Sequence, residues 1–123
     1  LKKNNKSYLL ELKSPHINAG NGNDFSKKLM RQYQYHLFWN PKSMVKAYIA
    51  IPYNPFDVSY DKAEKGRISP LIKNQDYLVD NDYWKFITGN KNSMKIFKEA
   101  INEIKNDGSM YNDLNTLITH FKD

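Results

Sequence analysis

With 123 residues, 40% of them hydrophobic and 14% aromatic, the chain can bury one modest core, which excludes a disordered tail; the lack of cysteine excludes disulfides and thiolate metal sites and fits a reducing cytoplasm. No apolar run approaches the roughly 20 residues that cross a bilayer, so no membrane partner is expected, and the polar, basic stretch Leu1 to Lys6 is not a signal peptide. The formal charge of +6 is uneven: residues 1–50 hold nine Lys or Arg and two acids, whereas residues 51–123 hold ten basic and eleven acidic residues, so the basic half points to a polyanion such as nucleic acid.

In chain order, Ser7 to Lys13 reads as a strand ended by Pro15. Leu10 and Leu12 point one way, and Glu11 and Lys13, two apart, share the other face. Ile17 to Asn23 is a small-residue loop in which Gly20 and Gly22 allow unusual dihedrals. A helix is expected from Asn23 or Asp24 as N-cap, with Phe25, Leu29, Tyr33 and Leu37 as its buried face, ending before Asn40-Pro41. Met44 to Pro52 is an interior strand with Val45, Ala47, Ile49 and Ile51 on one face. Strand, helix, strand at this spacing predicts a βαβ unit with a parallel pair.

A long loop follows, with a short extended piece from Asp76 to Val79. Three helices complete the chain. The first runs from Asp82, capped by Asp80 or Asn81, to Gly89. The second is capped by Ser93 and buries Ile96, Phe97, Ala100, Ile101 and Ile104. The third starts at Ser109, with the stripe Met110, Leu114, Leu117, Ile118 and Phe121. The fold class is therefore α/β: a βαβ unit followed by a C-terminal helical segment.

The charged pair Glu11 and Lys13 interrupts an apolar strand, and charges in such a setting need a reason. A carboxylate at the first position can hold Mg²⁺, which takes oxygen ligands. An ammonium two residues on reaches the same pocket, where it can position the attacking water or stabilise charge on a phosphate. The triplet is unspecific, because Glu and Lys are common and an exposed ion pair is its ordinary use. His16, His36 and His120 show no metal-ligand spacing, and no P-loop or dinucleotide fingerprint occurs. Tyr8, Tyr33, Tyr35 and Tyr48 could stack on bases, although packing is the commoner role for tyrosine.

The order of strand with E-L-K, helix and hydrophobic strand resembles the second half of the PD-(D/E)XK nuclease core. "YLLELKSP", "AYIAIPYNPF" (Ala47 to Phe56) and "DYLVDNDYWKFITGN" (Asp76 to Asn90), in that order, resemble the TdeIII-type family of Type II restriction endonucleases from about Ser7 to Gly108. The resemblance implies Mg²⁺-dependent hydrolysis of double-stranded DNA at a specific sequence, leaving 5′-phosphate ends. It also implies a cognate methyltransferase that protects the host without direct contact, and two cuts on a duplex suggest a homodimer by analogy. Glu11 then becomes a metal ligand, Lys13 the catalytic lysine and the Leu12 carbonyl a further metal ligand. Asn18, Asn21 and Asn23 in the loop and Lys27, Lys28, Arg31 and Gln34 on the helix become the candidate DNA contacts. Tyr53, Asn54 and Pro55 read as a structural turn.

The nuclease core also places an acid on the strand before E-x-K. Here none of the ten residues before Glu11 is acidic, and Asp24, a possible substitute, reads as a helix cap. The chain begins at Leu1 rather than Met and is read as a single unit, the C-terminal part of a longer nuclease, with strand-helix-strand in residues 1–56 and a loop with three helices in residues 57–123. The alternatives are a non-catalytic DNA-binding or assembly module that keeps this fold, and an α/β domain whose Glu11 and Lys13 form a surface ion pair.

Overall fold

The computed structural model describes residues 1–122, and all of their side chains except those of residues 109, 110, 117, 120, 121 and 122. In chain order the elements are β1 (Lys2–Lys3), β2 (Lys6–Leu12), α1 (Asn21–Trp39), β3 (Met44–Ile51), α2 (Tyr60–Ala63), α3 (Lys65–Ile68), β4 (Tyr77–Val79), α4 (Asn81–Thr88), α5 (Ser93–Asp107) and α6 (Ser109–Lys122). The class is α/β, a four-stranded mixed sheet followed by C-terminal helices.

The sheet order is β1-β2-β3-β4. β2, β3 and β4 run parallel, and the two-residue β1 is antiparallel to β2. Asn4 and Asn5 join β1 to β2 with positive φ at both residues (48° and 62°), which suits the twist of a tight hairpin. The parallel βαβ unit expected from the sequence is present, with α1 as the crossover between β2 and β3.

Helices cover both faces of this sheet. On one face Ala47, Ile49 and Ile51 pack under Phe25 and Leu29 of α1, with Ile17, Tyr60, Ile68, Tyr77 and Val79 around them and Leu9 alongside. The opposite face packs Ala50 and Leu78 against Tyr83, with Leu10, Tyr48, Trp84, Phe86 and Ile87 of β2, β3 and α4. Burying an aliphatic side chain such as Ile49 or Ile51 contributes about 1.5–3 kcal/mol, and here those two sit in the central strand. Tyr33 stitches α1 to β3, its hydroxyl accepting from the Ala47 N–H at 2.8 Å.

Several expectations are corrected. α1 starts at Asn21, with Gly20 at the N-cap in the left-handed region (φ 86°), so neither Asn23 nor Asp24 is the cap. Leu37 is exposed, because the stripe outlasts the sheet beneath it. Two single-turn helices, α2 and α3, interrupt the expected loop, so residues 57–122 contain five helices instead of three, while β4 falls within the extended piece expected from Asp76 to Val79. Asn92, not Ser93, caps α5. Ile96, Phe97, Ala100, Ile101 and Ile104 of α5 and Leu114 and Ile118 of α6 are exposed, so the expected stripes are only partly covered by the described residues. Met110, Leu117 and Phe121 of that stripe lie outside the described side chains. Among the described residues no helix is long and apolar enough to cross a membrane.

Candidate active site

The parallel pairing of β2 with β3 fixes where the two charges go. Leu9 lies opposite Ala47 and Glu11 opposite Ile49. Leu9, Glu11 and Lys13 therefore share the face that α1 covers, and an apolar row turns charged at the carboxyl end of β2. The chain then turns at Pro15, whose carbonyl accepts from the buried Tyr60 hydroxyl at 2.6 Å. That bond anchors the end of β2 to the base of α2.

Lys13 Nζ donates to Glu11 Oε1 at 2.6 Å, with the two side chains 20% and 32% exposed respectively. The hydrogen bond from Lys13 holds the Glu11 carboxyl below its ordinary range; burial opposes this, and the charges of Lys13 and Lys28 reinforce it. The same bond holds Lys13 above the ordinary lysine range, against burial. Lys28, whose amine meets Lys13, is held low by that contact and by the like charge. At rest the site is thus an ion pair flanked by a second cation.

Beside the pair lies a cavity of about 530 Å³, lined by Lys13, Ser14, His16, Ile17, Asn21, Asp24, Phe25, Lys27, Lys28 and Arg31. Four of these are cations and one, Asp24, is an acid, so the cavity is suited to an anion such as phosphate. Of the residues singled out from the sequence, it brings together Lys13, Asn21, Lys27, Lys28 and Arg31. Glu11 joins them through Lys13. Asn18, Asn23 and Gln34 are exposed outside its lining; the Asn18 carbonyl accepts from the Asn21 N–H at 3.1 Å and shapes the turn into α1. Freed from capping, Asp24 faces the cavity.

Backbone direction bears on Leu12. The Lys13 N–H donates to the Ala50 carbonyl at 2.9 Å, so Lys13 is turned toward β3. Alternation along the strand turns the Leu12 carbonyl the other way. On that edge β1 pairs only Ser7 and Lys6, so no described strand lies beside Leu12. The Glu11 carboxylate and the Leu12 carbonyl are both hard oxygen donors of the kind Mg²⁺ takes, and Mg²⁺ is commonly held by one or two carboxylates together with substrate phosphate. Among the described residues there is no cluster of three or more His, Asp or Glu that could hold a metal without such help.

Reasoning from sequence missed Gln32. Its Nε2 donates to Glu11 Oε2 at 3.1 Å. The available signal was positional: Gln32 falls seven residues after Phe25 and three after Leu29, a polar residue within an apolar stripe. Other candidates have structural partners. His16 packs edge-on to Phe56, and His36 Nε2 lies 2.8 Å from Ser43 Oγ. Asn54 accepts from the Phe56 N–H and donates to the Val58 carbonyl, closing the turn that follows β3.

The sequence model of the HinfI Type II restriction endonucleases matches residues 1–105. The Type II restriction enzyme MjaII of Methanocaldococcus jannaschii is 27% identical over 108 residues, covering 80% of this chain and 29% of the relative, so the chain spans less than a third of that protein's length. No solved structure matches. The finer TdeIII-type relationship is not confirmed by these matches, which support the broader class. The chain belongs to the HinfI family of Type II restriction endonucleases.

Proposed function

We propose that this chain carries the E-x-K part of the catalytic centre of a Type II restriction endonuclease, and that the complete protein hydrolyses double-stranded DNA at a specific sequence in a Mg²⁺-dependent reaction that leaves 5′-phosphate ends. The observation that carries the reading is the Glu11–Lys13 pair at the end of an apolar parallel strand, opening beside a cavity rimmed by Lys27, Lys28 and Arg31. A free ion pair on a convex surface has no such neighbours.

The chain's own groups divide the work. Lys27, Lys28 and Arg31 draw the DNA backbone to the cavity by charge. Lys13 has three N–H donors and gives one to Glu11, which leaves others for a phosphate oxygen and a positive charge where negative charge develops. The hydrogen bond from Lys13 keeps Glu11 ionised and acceptor-only. Glu11 and the Leu12 carbonyl would hold Mg²⁺, which when bound supplies Lewis acidity toward water and phosphate. A cognate methyltransferase would protect host DNA, and a two-fold homodimer would present one site to each strand.

The test is made on the complete protein with duplex DNA and Mg²⁺. Lys13→Ala should abolish cutting and leave DNA binding within a few-fold. Cutting at the parental rate would remove Lys13 from the chemistry. Loss of cutting in the parent itself, with binding retained, would favour a non-catalytic DNA-binding module.

A further inference from the structure

Gln32 reaches Glu11 from another element, 21 residues along the chain. Lys13 holds one carboxylate oxygen at 2.6 Å, and Gln32 Nε2 holds the other at 3.1 Å. Glu11 is therefore fixed from both sides. An ionised carboxylate has about four lone-pair sites, so these two bonds still leave each oxygen able to meet a cation.

The second half of the amide is the informative one. Gln32 Oε1 is shielded from solvent and has no hydrogen-bond partner among the described residues. A buried acceptor without a donor is destabilising. Rotating the amide would not help, because Oε1 would then face the Glu11 carboxylate. Glu11 thus dictates which way the amide lies, and the amide leaves an acceptor close to the carboxylate. Arg31, the preceding residue on the helix, is exposed, lines the cationic cavity and makes no hydrogen bond to that oxygen. A hard cation at Glu11 would bring such a donor among its own waters once the Gln32 amide shifted to admit it, since Mg²⁺ sheds its waters reluctantly.

We propose that Gln32 is a positioning residue for a divalent cation at Glu11: Nε2 sets the carboxylate, and Oε1 accepts a hydrogen bond from a water that the cation carries. This rests on the reading of Glu11 as a cation ligand. Partners of this kind typically govern metal affinity by 10- to 100-fold.

The experiment measures Mn²⁺ binding to the complete, DNA-free protein by electron paramagnetic resonance, beside the metal-free melting temperature and the Mg²⁺ concentration for half-maximal cutting. Gln32→Leu should weaken Mn²⁺ binding by about 10- to 100-fold and raise the Mg²⁺ requirement by a similar factor. Gln32→Glu keeps an acceptor but sets a carboxylate against Glu11. It should melt earlier without metal and bind Mn²⁺ at least as tightly as the parent, a combination that a merely structural link between α1 and β2 does not produce. Mn²⁺ affinity within two-fold of the parent in Gln32→Leu, or Gln32→Glu binding no better than Gln32→Leu, overturns the proposal. Glu11→Gln separates the two levels: if it binds Mn²⁺ like the parent, the cation reading of Glu11 itself fails; if it alone loses Mn²⁺, only the role of Gln32 fails.

Discussion

The indole N–H of Trp84 donates to the carbonyl of Pro52 at 2.7 Å, across 32 residues of chain. Pro52 follows β3, and Trp84 belongs to α4, so the bond clamps α4 to the carboxyl end of the central strand. The Trp84 ring also stacks on Phe97 of α5, with centroids 5.1 Å apart. The segments P-Y-N-P-F and W-K-F-I-T-G, separate in sequence, are thus tied together at Pro52 and Trp84. Trp84→Phe keeps an aromatic ring and drops the donor, leaving the Pro52 carbonyl unpaired. A loss of about 1–3 kcal/mol is expected, read from the urea midpoint at constant slope. An unchanged midpoint would show that water replaces the indole at no cost.

How far the sequence announced this arrangement depends on whether a signal was local. β2, β3 and the first turns of α1 were legible because their apolar residues repeat at the periods of strand and helix, and Ala47, Ile49 and Ile51 are buried as that pattern required. The start of α1 was misplaced because Gly20, with no side chain to cap with, holds the N-cap by its left-handed backbone, while Asp24 looked like a cap. β1 escaped notice because Lys2–Lys3 is two residues of basic sequence whose strand character comes only from pairing with Lys6 and Ser7. Gln32 was invisible as a partner of Glu11, since nothing at a separation of 21 residues marks a contact. The apolar stripe of α5 was correctly seen as a pattern, but a stripe does not name what covers it, and Ile96 and Ile101 remain exposed.

Gly22 gives a prediction whose sign runs against helix propensity. It lies in the first turn of α1, where Ala would ordinarily stabilise by about 1 kcal/mol. A Cβ there would stand 2.1 Å from the Ser69 carbonyl oxygen and 2.5 Å from that of Ile68. Both are backbone atoms and cannot swing aside as a side chain would. Gly22→Ala should therefore destabilise by about 3 kcal/mol or push α1 away from α3, in either case lowering the melting temperature. Because Asn21 and Asp24 flank this residue and line the cavity, DNA binding should fall with it. A variant that melts higher than the parent would mean that α1 does not approach Ser69 this closely.

Alkaline pH offers a test of the core through Tyr60 and Tyr77. Burial pushes the Tyr60 phenol well above the usual range, helped by the charge of Glu64. Burial pushes Tyr77 up to about 12, with a contribution from Asp61. Both fold in the neutral form. Below about pH 10, the ordinary tyrosine value, folded and unfolded chains bind the same phenolic protons and no stability is lost. Above it, unfolded phenols ionise while these two stay protonated, so stability falls from about pH 10 through 12. Absorbance at 295 nm should show Tyr60 and Tyr77 ionising only with loss of near-ultraviolet circular dichroism. Tyr77→Phe should move the alkaline unfolding midpoint upward. All nine tyrosines titrating together near pH 10 in a still-folded protein would contradict the burial.

The cationic wall of the cavity makes the sharpest statement about DNA. Lys27, Lys28 and Arg31 project from α1 into the cavity that contains Lys13. If each meets one phosphate, replacing all three by Gln should flatten the slope of log K against log salt by about 0.9 per residue, so by roughly 2.7, and do so equally for cognate and unrelated duplexes. Such a loss of slope without loss of discrimination separates backbone holding from base reading. Lys28 carries a further expectation, because contact with Lys13 and their like charge already hold its amine below the ordinary range. Without DNA that repulsion is only partly offset by the charges of Glu11 and Asp24, so Lys28→Gln alone should weaken DNA binding yet leave the melting temperature equal or higher, with any rise fading as salt screens the pair. A lower melting temperature would make Lys28 a structural partner of the fold, and an unchanged salt slope in the triple variant would place the DNA on another surface.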